Sequence, residues 1–327
     1  MTSTIGNTCG GRYPPEPPYG QAMTPLHRGY LYGTAAYVLW GFFPLYFKLL
    51  RPTSAVEILA HRVLWSAVFM GLLLLAIRQW GFLRDLARRP AAALGIAAAA
   101  AIIALNWGTY IYGVNTDRVV ETSLGYFITP LVTVLLGVVV LRERLRAWQW
   151  TALAVGGAAV AVLTVDYGRL PYLALILAAS FSFYGLIKKR LGLPAAGGLF
   201  VEAGLLAGPG LGYLWWLWAT AEPTVGHLGL GHTLLVLASG PVTAVPLLLF
   251  AGAANRVPLT TLGILQYAAP VLQFGVGVLI FHEPMPPARL VGFGLVWLAL
   301  VVFTADSLRQ SRRRGTGAAA AVAAGGR

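Results

Sequence analysis

Glu57, His61 and Arg62 stand within six residues of one another in 55-AVEILAHRVLWS-66, a run otherwise apolar enough to cross a membrane. Side chains of these types, so placed, can hold an anionic group, pair with each other or pass a proton. Each costs roughly 2.5–3.5 kcal/mol at the centre of a lipid-facing helix, so an ionisable group there points to function. On a helix Glu57 and His61 fall at i,i+4 and share a face, and Arg62 points about 100° further round than His61. By helical rise, Glu57 sits a few ångströms below the outer surface and Arg62 roughly 12 Å down. Two readings follow for Arg62. It lines a polar cavity with Glu57 or His61 as partner, or it braces neighbouring helices through buried carbonyls or Glu57. Glu202 is the other charge inside an apolar run, near the inner surface. Glu57 and Glu202 would then be two pseudo-symmetric gates, one at each mouth, or two interface anchors.

A second polar cluster is 106-NWGTYIYGVN-115. Asn106, Tyr110 and Gly113 fall at i, i+4 and i+7, a polar and aromatic stripe, whereas Trp107 and Tyr112 also suit an interfacial aromatic belt. In 263-GILQYAAPVLQF-274, Gln266, Tyr267 and Gln273 bracket Pro270, whose missing N–H frees a carbonyl one turn back. Gln266 and Gln273 face the same way, to line an interior or to join helices. In 37-YVLWGFFPLYFK-48, Gly41 and Pro44 predict a bend, with Tyr37, Trp40 and Tyr46 as aromatic faces that either line the path or pack.

Other chemistries lack their residues. None of the three lysines, Lys48, Lys188 and Lys189, sits in a Walker A loop. The five histidines are scattered without metal-ligand spacing, so no metal is expected, and no other cofactor. There is no G-x-S-x-G elbow. The single cysteine, Cys9, excludes a disulfide framework.

The elements that must position these residues are membrane helices. The chain is 57% hydrophobic and 11% charged, against about 25% charged in soluble domains. Apolar runs fall at about 29–50, 54–77, 91–114, 119–141, 147–166, 170–187, 198–219, 232–253, 259–281 and 287–306. Runs of that length predict an all-α polytopic membrane protein with ten spans in the lipid bilayer. The seventh carries Gly208, Pro209, Gly210 and Gly212, which predict a kink or a boundary there. Residues 1–28, with Pro14, Pro15, Pro17 and Pro18, read as a disordered tail, and 307–327, basic and then Ala/Gly-rich, as another. With ten spans the two tails share a side. Eighteen of the 24 Lys and Arg residues then fall on that side and five on the other, with Arg62 in a span. The bias puts both tails in the cytoplasm. It also explains the net charge of +13 as topology and lipid-headgroup contact, with no nucleic-acid surface.

A shift of 140 residues lays 115–169 on 255–309 without a gap, bringing Asn115 onto Asn255, Pro130 onto Pro270, Gly137 onto Gly277 and Glu143 onto Glu283. Shifts of 141 and 145 put Lys48 on Lys189 and Val56-Glu57 on Val201-Glu202. The repeat unit is thus five helices, 29–167 and 168–306. An odd number inverts the second copy, the arrangement of secondary transporters with a substrate site at the repeat interface.

The chain resembles the drug/metabolite transporter superfamily of EamA type, and within it the RarD branch. The residues that carry the resemblance are 38-VLWGFFPLYFKLL-50, 57-EILAHRVLWS-66, 106-NWGTYIYGVN-115, 121-ETSLGYFITPL-131 and 264-ILQYAAPVLQF-274. Each EamA unit tends to end in a glutamate followed nine residues on by a small residue, here Glu143 with Ala152 and Glu283 with Gly292. The resemblance implies ten helices in two inverted units, a plasma-membrane location and solute movement by alternating access. Family members are linked to amino acids and other small metabolites. The resulting expectation is a carrier, an exporter of a small amphipathic or zwitterionic solute. Arg62 would hold its anionic group, and Trp107, Tyr110, Asn106, Gln266 and Tyr267 would supply stacking and hydrogen bonds. Glu57, His61 and Glu202 would couple or gate, and Pro130 and Pro270 would bend where the units rock. A receptor or membrane enzyme on the same scaffold would need a soluble-side site, and the loops here are about 3 to 14 residues long.

Overall fold

A computed structural model describes residues 24–142, 145–191, 195–220 and 223–325. The N-terminal stretch before Thr24, with Cys9, and Glu143 lie outside the described residues. The described chain is helical and contains no strand. In order the helices are α1 (Pro25–Gly41), α2 (Phe43–Leu49), α3 (Ala55–Ile77), α4 (Gly81–Ala87), α5 (Pro90–Asn115), α6 (Val119–Leu141) and α7 (Ala147–Tyr167). There follow α8 (Tyr172–Leu191), α9 (Ala195–Thr220), α10 (Leu230–Leu237), α11 (Ser239–Ala254), α12 (Leu259–Leu265), α13 (Ala268–Gly275), a π-helical turn at Val276–Ile280, and α14 (Pro287–Gly325).

Helix lies over each of the ten predicted ranges. By length and apolarity together, however, seven candidate spans qualify among the described residues, not ten, with Tyr172–Lys188 a shorter apolar helix. The shortfall has local causes. The first predicted span is broken at Phe42, between Gly41 and Pro44, into two shorter helices. The sixth is apolar but shorter, Tyr172–Lys188, and the seventh carries Glu202, Pro209 and six glycines along its length. Of the kink or boundary predicted at Gly208–Gly212, the boundary does not occur: α9 runs through Pro209 unbroken. Beyond the last predicted span, residues 307–325, expected as part of a disordered tail, continue α14 as helix.

Helix ends follow local chemistry. Ser54 Oγ accepts from the Glu57 N–H and starts α3. Arg78 and Arg142 end α3 and α6 in the left-handed conformation, and Gly168, at φ +64°, ends α7. In the ninth predicted span, α12 ends at Leu265 and α13 begins at Ala268, so the helix is interrupted one turn before Pro270. Pro130, by contrast, lies inside an unbroken α6.

The principal packing pairs are α7 with α14, α3 with α9, α6 with α8, α5 with α8, α1 with α11, α3 with α11, α1 with α13, α5 with α9 and α6 with α13. The largest buried cluster joins α6, α7, α8 and α14 through Phe127, Leu163 and Phe293. Small residues let the backbones approach. A Cβ on Gly125 of α6 would lie 2.8 Å from Leu177 Cβ and 2.9 Å from the Ala174 carbonyl oxygen on α8. Gly125→Ala should therefore destabilise the protein by about 1–3 kcal/mol through overpacking, read as a lowered midpoint of thermal unfolding in detergent. Outward faces are apolar: Val165 is 83% and Trp218 72% exposed. Trp148 and Trp150 project near the start of α7, and Trp215, Trp216 and Trp218 near the end of α9, as interfacial aromatic belts do.

Candidate functional site

Arg62 is buried, at 3% exposure, where α3 meets α11, α5 and α2. Its Nε donates to Thr243 Oγ1 at 2.8 Å, and that hydroxyl donates in turn to the Ser239 carbonyl at 2.7 Å. The guanidinium lies over Trp107, 4.2 Å from the ring centroid, with Phe47 at 5.3 Å and Phe43 at 5.8 Å. The phenols of Tyr126, Tyr46 and Tyr110 are its electrostatic neighbours. Tyr110 packs edge-on against Phe47 and tilted against Tyr126. Among the described residues Arg62 has no carboxylate partner, and its two terminal nitrogens carry no hydrogen bond. The buried Tyr110 hydroxyl, Trp65 Nε1 and Ser66 Oγ also lack partners. Counted along their helices, Arg62 from Ser54, Trp107 from Asn115 and Ser239 from Leu230 all lie roughly 12–14 Å in. The result is one cation in an aromatic box with hydrogen-bonding capacity to spare.

The structure brings together Arg62, Trp107 and Tyr110 of the predicted set and separates the others. Glu57 is not the partner of Arg62: its Oε1 accepts from the Thr224 N–H and Oγ1, both at 2.9 Å, so it pins the loop before α10. Its first-turn position on α3 aims it at that loop. Glu202 accepts from Lys188 Nζ at 2.7 Å and the Tyr184 hydroxyl at 2.9 Å, an anchor between α8 and α9. Asn106 spends its amide on the Leu177 carbonyl and Ser180 Oγ, and its oxygen on the Tyr126 hydroxyl, so it joins α5 to α8 and α6. Tyr267 packs against the α6–α14 cluster, with Gln266 beside it at the break in the ninth predicted span, and neither touches Arg62. Gln273 donates to the Trp40 carbonyl at 3.0 Å. His61, half-buried, has an unpartnered Nδ1. No cluster of three metal-ligating side chains occurs among the described residues.

Sequence reasoning missed Thr243, Phe43, Phe47 and Tyr126 as the box around Arg62. It also missed other carboxylates that tie helices together. Glu121, 2% exposed, accepts from Arg118, Arg169 and the Leu173 N–H. Asp166 accepts from Arg289 at 2.9 Å. Glu283 accepts from the N–H groups of Val119 and Val120, at 2.5 and 2.8 Å, at the start of α6. Burial lifts the Glu283 carboxyl above the usual carboxylate range, against those N–H groups and the charges of Lys48 and Arg289. Glu283→Ala should cost about 1–2 kcal/mol by uncapping α6, measured by thermal unfolding.

These contacts fall in two layers. Near one end of the spans, Glu57 with Thr224, Thr53 with His232, Tyr46 with the Leu235 carbonyl, Glu283 with α6, and Asp166 with Arg289 all join residues before 168 to residues after it. Near the other end, Arg146 pairs with Asp306 at 2.9 Å.

The EamA-like transporter family matches residues 27–165. A RarD protein of Streptomyces exfoliatus is 55% identical over 87% of this chain and 90% of its own length. The chain belongs to the EamA-like transporter family, in its RarD branch. The RarD protein of Escherichia coli is 40% identical over 88% of this chain and 97% of its own, and the uncharacterized transporter YojE of Bacillus subtilis 42% over 87% and 96%. A solved crystal structure, 22% identical, covers 86% of this chain and 98% of its own with a TM-score of 0.56, a likeness of fold. With its apolar helices, this EamA chain is a multi-pass membrane protein of transporter type.

Proposed function

We propose that the protein is a secondary carrier that moves a small solute by alternating access, with Arg62 holding an anionic group on that solute. One observation carries this: a buried guanidinium, bound through Nε alone to Thr243, lies between helices drawn from both halves of the chain. A buried charge left without a counter-ion is costly, and a solute anion supplies one.

The pairing of helices supports two inverted five-helix units. Under the sequence repeat, α6 with α8 corresponds to α13 with α1, α5 with α8 to α11 with α1, and α5 with α9 to α11 with α3. Each contact and its counterpart is present, as a two-fold arrangement requires. The polar ties at the Glu57 and Glu283 end support a conformation closed there, loaded from the other end. That other end is the cytoplasmic one by the charge count, which favours export from the inner membrane with both termini inside. The role of the proton rests on His61, since Glu57 is occupied by Thr224. Pro270 and the break before it supply the bend at which one unit rocks on the other, and Pro130 is its counterpart.

The test is counterflow into proteoliposomes loaded with a panel of small metabolites, with and without a pH gradient. Saturable exchange of at least one solute is expected. Its absence for every solute, from folded protein, contradicts the reading. A pH gradient that leaves flux unchanged removes the proton.

A further inference from the structure

We infer that the solute held at Arg62 is a monocarboxylate with an apolar body and no ammonium group. This rests on the carrier reading and narrows its substrate. Arg62 offers two terminal nitrogens beyond its bond to Thr243, and the fork they make matches the two oxygens of a carboxylate. One guanidinium balances one negative charge. A phosphate ester, near −2 at neutral pH, would leave charge unmatched.

An ammonium finds no carboxylate there. The buried carboxylates among the described residues are each committed elsewhere: Glu57 to Thr224, Glu121 to Arg118 and Arg169, and Glu202 to Lys188 and Tyr184. The Trp107 face, the ring type that attracts a cation best, already lies under the guanidinium. A second positive charge in the box would meet Arg62 at like sign, a juxtaposition that binding sites use to reject wrong partners. This excludes the zwitterions that the sequence alone left open.

The walls choose the body. Phe43, Phe47, Trp107, Tyr110 and Tyr126 are apolar or aromatic, and rings pack edge-on or tilted against such walls. The Tyr110 hydroxyl, buried and without a partner, is free to bond a hydroxyl or keto group on the solute.

The experiment compares ligands that share a body and differ in head group. Labelled 3-phenylpropionate is bound to purified protein in detergent. Hexanoate, 3-phenyllactate, phenylalanine, phenethylamine and phenyl phosphate are offered as competitors. Saturable binding is expected, displaced by the carboxylates and by phenylalanine or phenethylamine only at roughly tenfold or higher concentration. Binding should be lost in Arg62→Gln and partly kept in Arg62→Lys, with unfolding temperature checking that each variant is folded. Phenylalanine competing as well as 3-phenyllactate overturns the inference and leaves the carrier reading standing. Phenyl phosphate competing better than 3-phenylpropionate overturns the choice of a monocarboxylate. Failure of every carboxylate to bind folded wild-type protein overturns it too, and counterflow of some other solute would then show that the carrier reading survives.

Discussion

Arg62→Ala is expected to abolish carrier flux, a loss of about 100-fold, while the protein still folds. A hydrogen bond to a charged group contributes about 1.5–3 kcal/mol, which corresponds to roughly 10- to 150-fold in affinity, and the fork to a carboxylate makes two. The effect on stability has the opposite tendency. Arg62 is buried beside a neutral hydroxyl and aromatic rings, so its desolvation is poorly offset. Alanine removes that cost and leaves a cavity that costs about 2–5 kcal/mol, so the two changes oppose each other. Flux per folded protein, measured alongside thermal unfolding, separates the two readings of this residue. A variant that unfolds, with unchanged flux in the folded remainder, would make Arg62 a brace between α3 and α11.

Glu121→Ala is expected to have the largest effect on stability. Its carboxylate accepts from Arg118 at 2.7 and 3.1 Å, from Arg169 at 3.0 Å and from the Leu173 N–H at 3.2 Å. Without it the two guanidinium groups face each other over Tyr172, 4.6 and 4.9 Å from its ring, and a buried N–H is left unpaired. Breaking a buried ion pair costs about 3–5 kcal/mol. Arg169 is 40% exposed, so water relieves part of this, and about 2–4 kcal/mol is expected. Glu121→Gln keeps an acceptor for Leu173 and should lose less. Thermal unfolding in detergent reads both, and equal stability of Glu121→Ala and wild type would contradict the account.

The helices were legible because a span is written in consecutive apolar residues, and the bend at Gly41–Pro44 because proline acts locally. Of the two alternatives in the seventh predicted span, a kink or a boundary, the boundary does not occur, and the reason is tertiary. Gly210 is small because α9 packs closely on α3, where its Cβ would come 3.3 Å from Val63, and not because the helix ends there. Arg62, Trp107 and Tyr110 could be found as polar or aromatic residues at helical spacing. Their partner Thr243 could have been found the same way, as one of an i,i+4 pair with Ser239 in an apolar run. Glu57 could not be assigned, because its partner is 167 residues away and only the fold makes them neighbours. Asn106 and Gln273 show the same limit. An amide at helical spacing reads alike whether it faces a cavity or, as here, a carbonyl of the next helix.

The most direct test of the central claim is access to the box from each side of the membrane. Cys9 is replaced by serine, and Ser239→Cys puts a thiol one turn from Thr243 at a position 1% exposed. A membrane-impermeant maleimide is then applied to right-side-out and inside-out vesicles. Alternating access predicts labelling from both sides, with a solute that holds the carrier open to one side raising the rate there and lowering it at the other. Labelling from one side alone under every condition, or from neither, would contradict it.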